Sequence, residues 1–183
     1  IWPVPLLSAD LKQPILFKKQ QGIIHTNTNG YFIINDQSSG HYFVQYRDKA
    51  YKNFVVQRFI EKSISTESRI NILNDIYMLS RIGKISIVDG LDIIAKAQDE
   101  DRDSVWILLS RIIGAASQLT EGNDKAEQQI KLLKLHISIE KYKKLGWDES
   151  ITEDPNTKQL RQTIVSLMIA SEQEDAIKDA LEQ

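Results

Sequence analysis

The sequence contains no cysteine. Disulfide scaffolds, thiolate metal sites and cysteine nucleophiles are therefore excluded. Proline is scarce as well: there are four, at positions 3, 5, 14 and 155, so the long middle of the chain is free of the strongest helix breaker. The eight glycines are scattered and form no G-x-S-x-G elbow, Walker loop or dinucleotide pattern. Three histidines, His25, His41 and His136, are too far apart for an i, i+4 pair, and no H-E-x-x-H occurs. Each reads as a structural or solvated side chain. No apolar run approaches the roughly 20 residues of a membrane span. No N-x-S/T acceptor site is present, which fits a cytoplasmic location. Neither charge sign dominates: 23 Lys and Arg against 25 Asp and Glu give −2, which argues against a dedicated nucleic-acid binder.

What is present is an ordinary globular composition. The 183 residues are 42% apolar and 26% charged, enough for one domain or two small ones with a real core. The chain opens on Ile1-Trp2-Pro3-Val4-Pro5, with no Met and no signal-peptide pattern, and reads as the inside of a longer polypeptide. Charge divides near residue 62. Residues 1–62 carry eight cations against four anions, and residues 63–183 carry 15 against 21.

The first part reads as β. Leu16 to Lys19 and Gly22 to His25 are strand candidates, and Tyr31-Phe32-Ile33-Ile34 is an apolar, strand-prone run. Asp36 to Gly40 is a turn cluster. Beyond it Tyr42, Val44 and Tyr46 alternate with His41, Phe43 and Gln45, so the spacing predicts a β-hairpin over about 31–46 with those two sets on opposite faces.

From Asp48 the period becomes helical. Residues 48–62 form a connecting helix. Ser65 caps a second, with Ile72, Ile76 and Leu79 in one stripe and Gly83 as its left-handed stop. Ser86 and Asp89 resemble a capping box for a third. Val105, Leu108, Leu109, Ile112, Ile113, Ala116 and Leu119 give the fourth a nearly ideal stripe. The fifth uses Ala126, Ile130, Leu133 and Ile137 and ends at Gly146. Asp154-Pro155 starts the sixth, with Leu160, Ile164, Leu167 and Met168, and Ile177 and Leu181 lie on a short last helix. Short connections make successive helices antiparallel neighbours, an array of the solenoid type without a strict sequence period.

Chemistry is sparse. Asp99, Asp101 and Asp103 open a calcium-loop pattern, but Ser104 stands where glycine is needed and Ser110 where the closing Glu should be. The loop reads instead as an acidic connection that favours the next helix N-terminus. The Lys141-Tyr142-Lys143-Lys144 cluster suits the end of a helix. The residues alone describe a scaffold, and a stand-alone helical-repeat protein that binds a partner on its concave face is one reading of it.

The order of motifs also resembles the aminopeptidase-N-type zinc metallopeptidases, over the end of their small β-sandwich and much of their helical C-terminal domain. Trp2-Pro3-Val4-Pro5-Leu6 is similar to a sandwich strand of that family. Gly40 to Tyr46 is similar to the strand leading into the helical domain, with Phe43 where the family has Arg. Ile64-Ser65, Arg69, Asp75, Leu79 and Gly83 match the most specific stretch. The Arg69-to-Asp75 spacing allows a buried salt link or, as plainly, two exposed charges. Leu91, Glu100 and Trp106 match a helix pair, with Lys96 in place of Tyr. Leu145-Gly146-Trp147, Glu153-Asp154 and Leu160-Arg161 match a late motif.

The resemblance implies a mainly α chain. A partial antiparallel β-sandwich over 1–47 leads into a HEAT- or armadillo-like superhelix over 48–183. It implies a non-catalytic role in a zinc-dependent aminopeptidase, with no catalytic or metal-binding residue in this chain. The zinc site lies in domains outside it, and peptides are the substrates. The helices cap the catalytic cleft and shape the peptide cavity, and Lys96, Glu100 and Trp106 are the candidates to face it. Trp2, Gly40, Tyr46, Arg69, Asp75, Gly83, Trp147 and Arg161 are the expected structural positions. A sandwich missing its first strands leaves an open edge and exposed apolar surface, so residues 1–46 are expected to be stabilised by a neighbouring chain or to be less ordered than the helices.

Overall fold

The computed structural model describes residues 2–24 and 30–181. The chain is mainly α-helical and forms two compact units, Ile1–Ile82 and Gly83–Gln183. In the first, β1 (Val4–Leu6) and β2 (Ile15–Phe17) pair antiparallel with Val4 opposite Phe17 and Leu6 opposite Ile15. Both are edge strands, which is why Pro5 is tolerated inside β1. Residues 22–24 form no strand, and His25 lies outside the described residues.

The expected hairpin over 31–46 does not form. Neither arm belongs to a sheet, and Asp36–Ser38 is a 3-10 turn. The physical reason lies in Asn35, which sits in the left-handed region at φ 59° and takes over the pairing role. Its Oδ1 accepts the Gly40 N–H at 2.7 Å and its Nδ2 donates to the Gly40 carbonyl at 3.0 Å. Tyr46 then bonds the Ile34 backbone, accepting that residue's N–H at 2.9 Å. Side chains thus satisfy groups that a ladder would have used. The alternation itself survives: Tyr42, Val44 and Tyr46 are half-buried, whereas His41, Phe43 and Gln45 are exposed.

Helix α1 (Lys49–Ile60) is capped by Asp48, which accepts the Tyr51 N–H at 2.8 Å, and it buries Val55 and Phe59. Tyr51 anchors it outward, donating to the Phe32 carbonyl at 2.6 Å beneath the rings of Tyr31, Tyr46 and Phe54. Helix α2 (Thr66–Arg81) starts on Ser65, whose Oγ accepts the Ser68 N–H at 3.2 Å, and is followed by Gly83 at φ +69°. A side chain at Gly83 would be strained by that backbone alone.

The second unit holds α3 (Val88–Ile94), α4 (Asp103–Thr120), α5 (Asp124–Leu145), α6 (Pro155–Ala170) and α7 (Glu174–Leu181). Ser86 accepts the Val88 N–H at 3.2 Å, but the residue at the cap itself is Ile87, which makes no side-chain cap bond, so Ser86 stands one residue ahead of the cap expected of it. Helix α4 is the hub: it packs on α3, α5 and α6, while α6 also packs on α5 and α7. Its stripe is buried from Val105 to Ala116, but Leu119, expected to complete it, is 74% exposed. Asn123 and Asp154 cap α5 and α6, Pro155 takes the first position of α6, and Gly146 ends α5 at φ +66°.

Candidate functional site

The α3–α4 junction brings two of the three cavity candidates into one piece of structure. The α4 cap residue, Arg102, offers no side-chain cap bond. Glu100 takes that part: its Oε1 accepts the N–H groups of Asp101 and Arg102 at 2.9 and 3.0 Å. A carboxylate there also suits the positive end of the helix dipole. Trp106, one turn into α4 and wholly enclosed, donates its indole N–H to the Glu100 carbonyl at 2.9 Å. Glu100 is itself 3% exposed, whereas Lys96 stands on the surface.

The acidic loop is tied down from another helix. Asn156 of α6 accepts the Asp103 N–H at 3.1 Å and donates to the Asp101 carbonyl at 3.1 Å. That bracket explains the run of Asp99, Asp101 and Asp103 as a helix start. Among the described residues no group of three or more His, Asp or Glu side chains could hold a metal ion. His41 is exposed, and His136 approaches the Ala95 carbonyl and Gln98.

The late motif closes on Arg161. This side chain, 3% exposed, donates to the Gly146 carbonyl at 3.0 Å and pairs with Glu153, so it clasps the loop between α5 and α6 from the inside. Trp147, which follows Gly146 in that loop, is half-buried. In the first unit, Gly40 is required by close approach: a Cβ there would run into the Tyr42 ring and Asn35. Trp2 is 87% exposed. Arg69 and Asp75 are both buried, which removes the reading of two exposed charges, but they are not each other's partners. Arg69 donates to the Ile64 carbonyl at 2.9 Å, and Asp75 accepts from the Val44 N–H at 3.0 Å. Burial pushes the Asp75 carboxyl up to about 7 and raises the Tyr46 phenol.

Sequence reasoning missed a groove of 470 Å³ between α4, α5 and α6. Its floor carries Ser110 and Gly114 of α4, with Ser166 and Ala170 of α6 opposite and Lys134 of α5 at the side. A second hollow of 340 Å³ shares Lys134 and Ala170. Burial, and then the neighbouring Lys131, hold Lys134 below the usual lysine range. The available signal was the small residues 110, 114 and 117 lying beside the apolar stripe of α4.

Comparison with known proteins places this architecture. The family model described as the ERAP1-like C-terminal domain matches residues 31–183. Aminopeptidase N of Lactococcus lactis subsp. cremoris (strain MG1363) is 24% identical over 183 residues, covering 96% of this chain and 21% of that protein. The puromycin-sensitive aminopeptidase of Caenorhabditis elegans is 24% identical, covering 89% of this chain and 18% of that protein. Aminopeptidase 2, mitochondrial, of Saccharomyces cerevisiae is 23% identical, covering 91% and 17%. The chain thus spans about a fifth of the length of the curated relatives it matches. With five-sixths of its residues inside that family model, and its motif residues occupying caps, clasps and tight approaches, the chain belongs to the ERAP1-like C-terminal domain family and is homologous to a stretch of aminopeptidase-N-type proteins.

Proposed function

We propose that the chain is the non-catalytic C-terminal region of a zinc-dependent aminopeptidase that removes N-terminal residues from peptides, and that its helices cap the catalytic cleft and shape the peptide cavity. The observation that carries this is the family match over residues 31–183, together with alignment of most of the chain to a fifth of proteins named aminopeptidases. Residues 1–47 are the end of a β-sandwich, and residues 48–183 are a HEAT-like superhelix. Both strands lying before Lys49, with all seven α-helices after Asp48 among the described residues, support that division. A lone two-stranded ribbon is marginal by itself, so the rest of the polypeptide is the natural partner of residues 1–47. The described residues do not fit a zinc site, and the metal belongs to another part of the enzyme.

Within this reading Lys96 is the residue of the three candidates that reaches the peptide, and Glu100 with Trp106 positions its helix end. A closed cavity excludes water and strengthens electrostatics at the reaction centre. Among the described residues no helix is long and apolar enough to cross a membrane. The cysteine-free composition supports a cytoplasmic location. The coding sequence ahead of Ile1 is expected to contain H-E-x-x-H and a distant Glu. The 183-residue chain alone is expected to leave an aminoacyl-anilide intact, while the longer polypeptide cleaves it until zinc is chelated. Turnover by the isolated chain, or no such motif upstream, overturns the proposal. In the longer polypeptide, Lys96→Glu is expected to shift KM for peptides several-fold with little change for a single-residue anilide.

A further inference from the structure

The stretch from Asn35 to Val44 is fastened to α2 by a row of side-chain hydrogen bonds rather than by a ladder. Ser68 bonds Asp36 and accepts the Gln37 N–H at 2.8 Å, and Asn71 accepts from Ser38 at 3.1 Å. At the far end of this row Asp75, 3% exposed, spends Oδ2 on the Val44 N–H at 3.0 Å and on Asn71 Nδ2 at 3.3 Å. Its Oδ1 is buried with no hydrogen-bond partner, and so is the phenolic oxygen of Tyr42. The groups facing Asp75 are Tyr42 and Tyr46, which flank Val44, and the neutral Asn71 of α2; Asp36 follows one turn further along the same row. Among the described residues no Lys, Arg or His bonds or pairs with Asp75.

An ionised carboxylate in that position has a buried acceptor oxygen that no described residue satisfies. We propose that Asp75 is a proton-controlled latch, which holds the 42–46 stretch against α2 while it carries a proton and releases it when ionised. With the proton on Oδ1 the charge is gone, and Oδ2 still accepts from Val44. When the proton leaves to solvent, hydrating the carboxylate requires water to enter, and the covering stretch is what must lift. Burial places the changeover at about pH 7.

Hydrogen exchange at the Val44 amide of the 183-residue chain, read by NMR and corrected for intrinsic rates, tests the latch. Protection is expected to fall about thirty-fold between pH 5.5 and 8.5, the linkage for a group moved from about 3.9 to about 7. Asp75→Asn keeps an acceptor for Val44 without the charge, and its protection should stay level. The Asp75 carboxyl carbon of the unaltered chain provides a second readout, with a titration midpoint near 7. Equal slopes in the two proteins, or a midpoint below about 5, overturn the latch.

Discussion

Helices α2 and α4 are of similar length, and each buries one face, but they do so with different materials. Helix α4 encloses Val105, Trp106, Leu108, Leu109, Ile112, Ile113 and Ala116, all of them apolar but for one indole N–H. Helix α2 encloses Ile72, Leu73 and Leu79 together with Ser68, Arg69, Asn71 and Asp75. The first face is held by removal of area from water, which is indifferent to direction and to pH. The second is held by bonds that work only at fixed geometry and in one protonation state. One unit is therefore expected to respond to loss of volume, and the other to loss of a partner or a proton.

The largest effect should come from the dry side. Trp106→Ala empties a wholly enclosed site and frees the Glu100 carbonyl, and should cost about 3–5 kcal/mol in denaturant unfolding, with the same loss at pH 5 and pH 8. A loss under 1 kcal/mol would mean that the α3–α4 junction is not part of the core.

Next comes the proton. The Asp75 carboxyl sits above its unfolded value, so its contribution to stability is fully present below about pH 4, shrinks as pH rises, and is gone above about pH 7. Thermal unfolding between pH 4 and 8 should register a decline of roughly 2–4 kcal/mol from this group. Asp75→Asn should flatten that part of the profile and be the more stable protein at pH 8. A rise in stability with pH that Asp75→Asn abolishes would reverse the sign and refute the assignment.

The dry unit has polar clasps too, and the one at Arg161 should behave like α2 in miniature. Arg161→Met removes the partner of Glu153 and of the Gly146 carbonyl, and should cost about 2–3 kcal/mol. Adding Glu153→Gln should recover part of that loss, because the stranded charge disappears. If the double variant is no better than the single one, the clasp acts through packing.

The same contrast explains how much was legible from sequence. Helix α4 could be read from periodicity because burial and hydrophobicity coincide there; of its expected stripe only Leu119, 74% exposed, misled. Caps at Ser65 and Asp154 and the stops at Gly83 and Gly146 are local chemistry, and all are where such chemistry puts them, whereas the Asn123 cap of α5 was passed over. The buried face of α2 was hidden because Ser68 and Asn71 read as solvent residues, and Asp75 stays open between a link to Arg69 and exposure, until their partners, 31 to 36 positions away, are known. The absent hairpin has the same origin: Asn35 replaces ladder bonds with side-chain bonds, which no alternation pattern records. At the junction, Glu100 and Trp106 could be singled out by motif order, but their mutual bond could not. The groove over Gly114 was missed because its lining comes from three helices, α4, α5 and α6, whose packing no single stretch of sequence records.

The smallest effect is the sharpest check on the comparison. Ser65→Ala in the first unit and Asn123→Ala in the second each remove one cap bond, to the Ser68 and Ala126 N–H groups respectively, and each should cost about 1 kcal/mol. A cap acts on the first turn alone, so what the rest of the helix buries should not matter, and the two losses should agree. Ser65 has one feature that Asn123 lacks: its hydroxyl also meets that of Ser68, which holds Asp36 and the Gln37 N–H. If Ser65→Ala costs several times more than Asn123→Ala, the cap is the first link of the polar row that ends at Asp75. In that case the row should be treated as one cooperative network rather than as separate bonds.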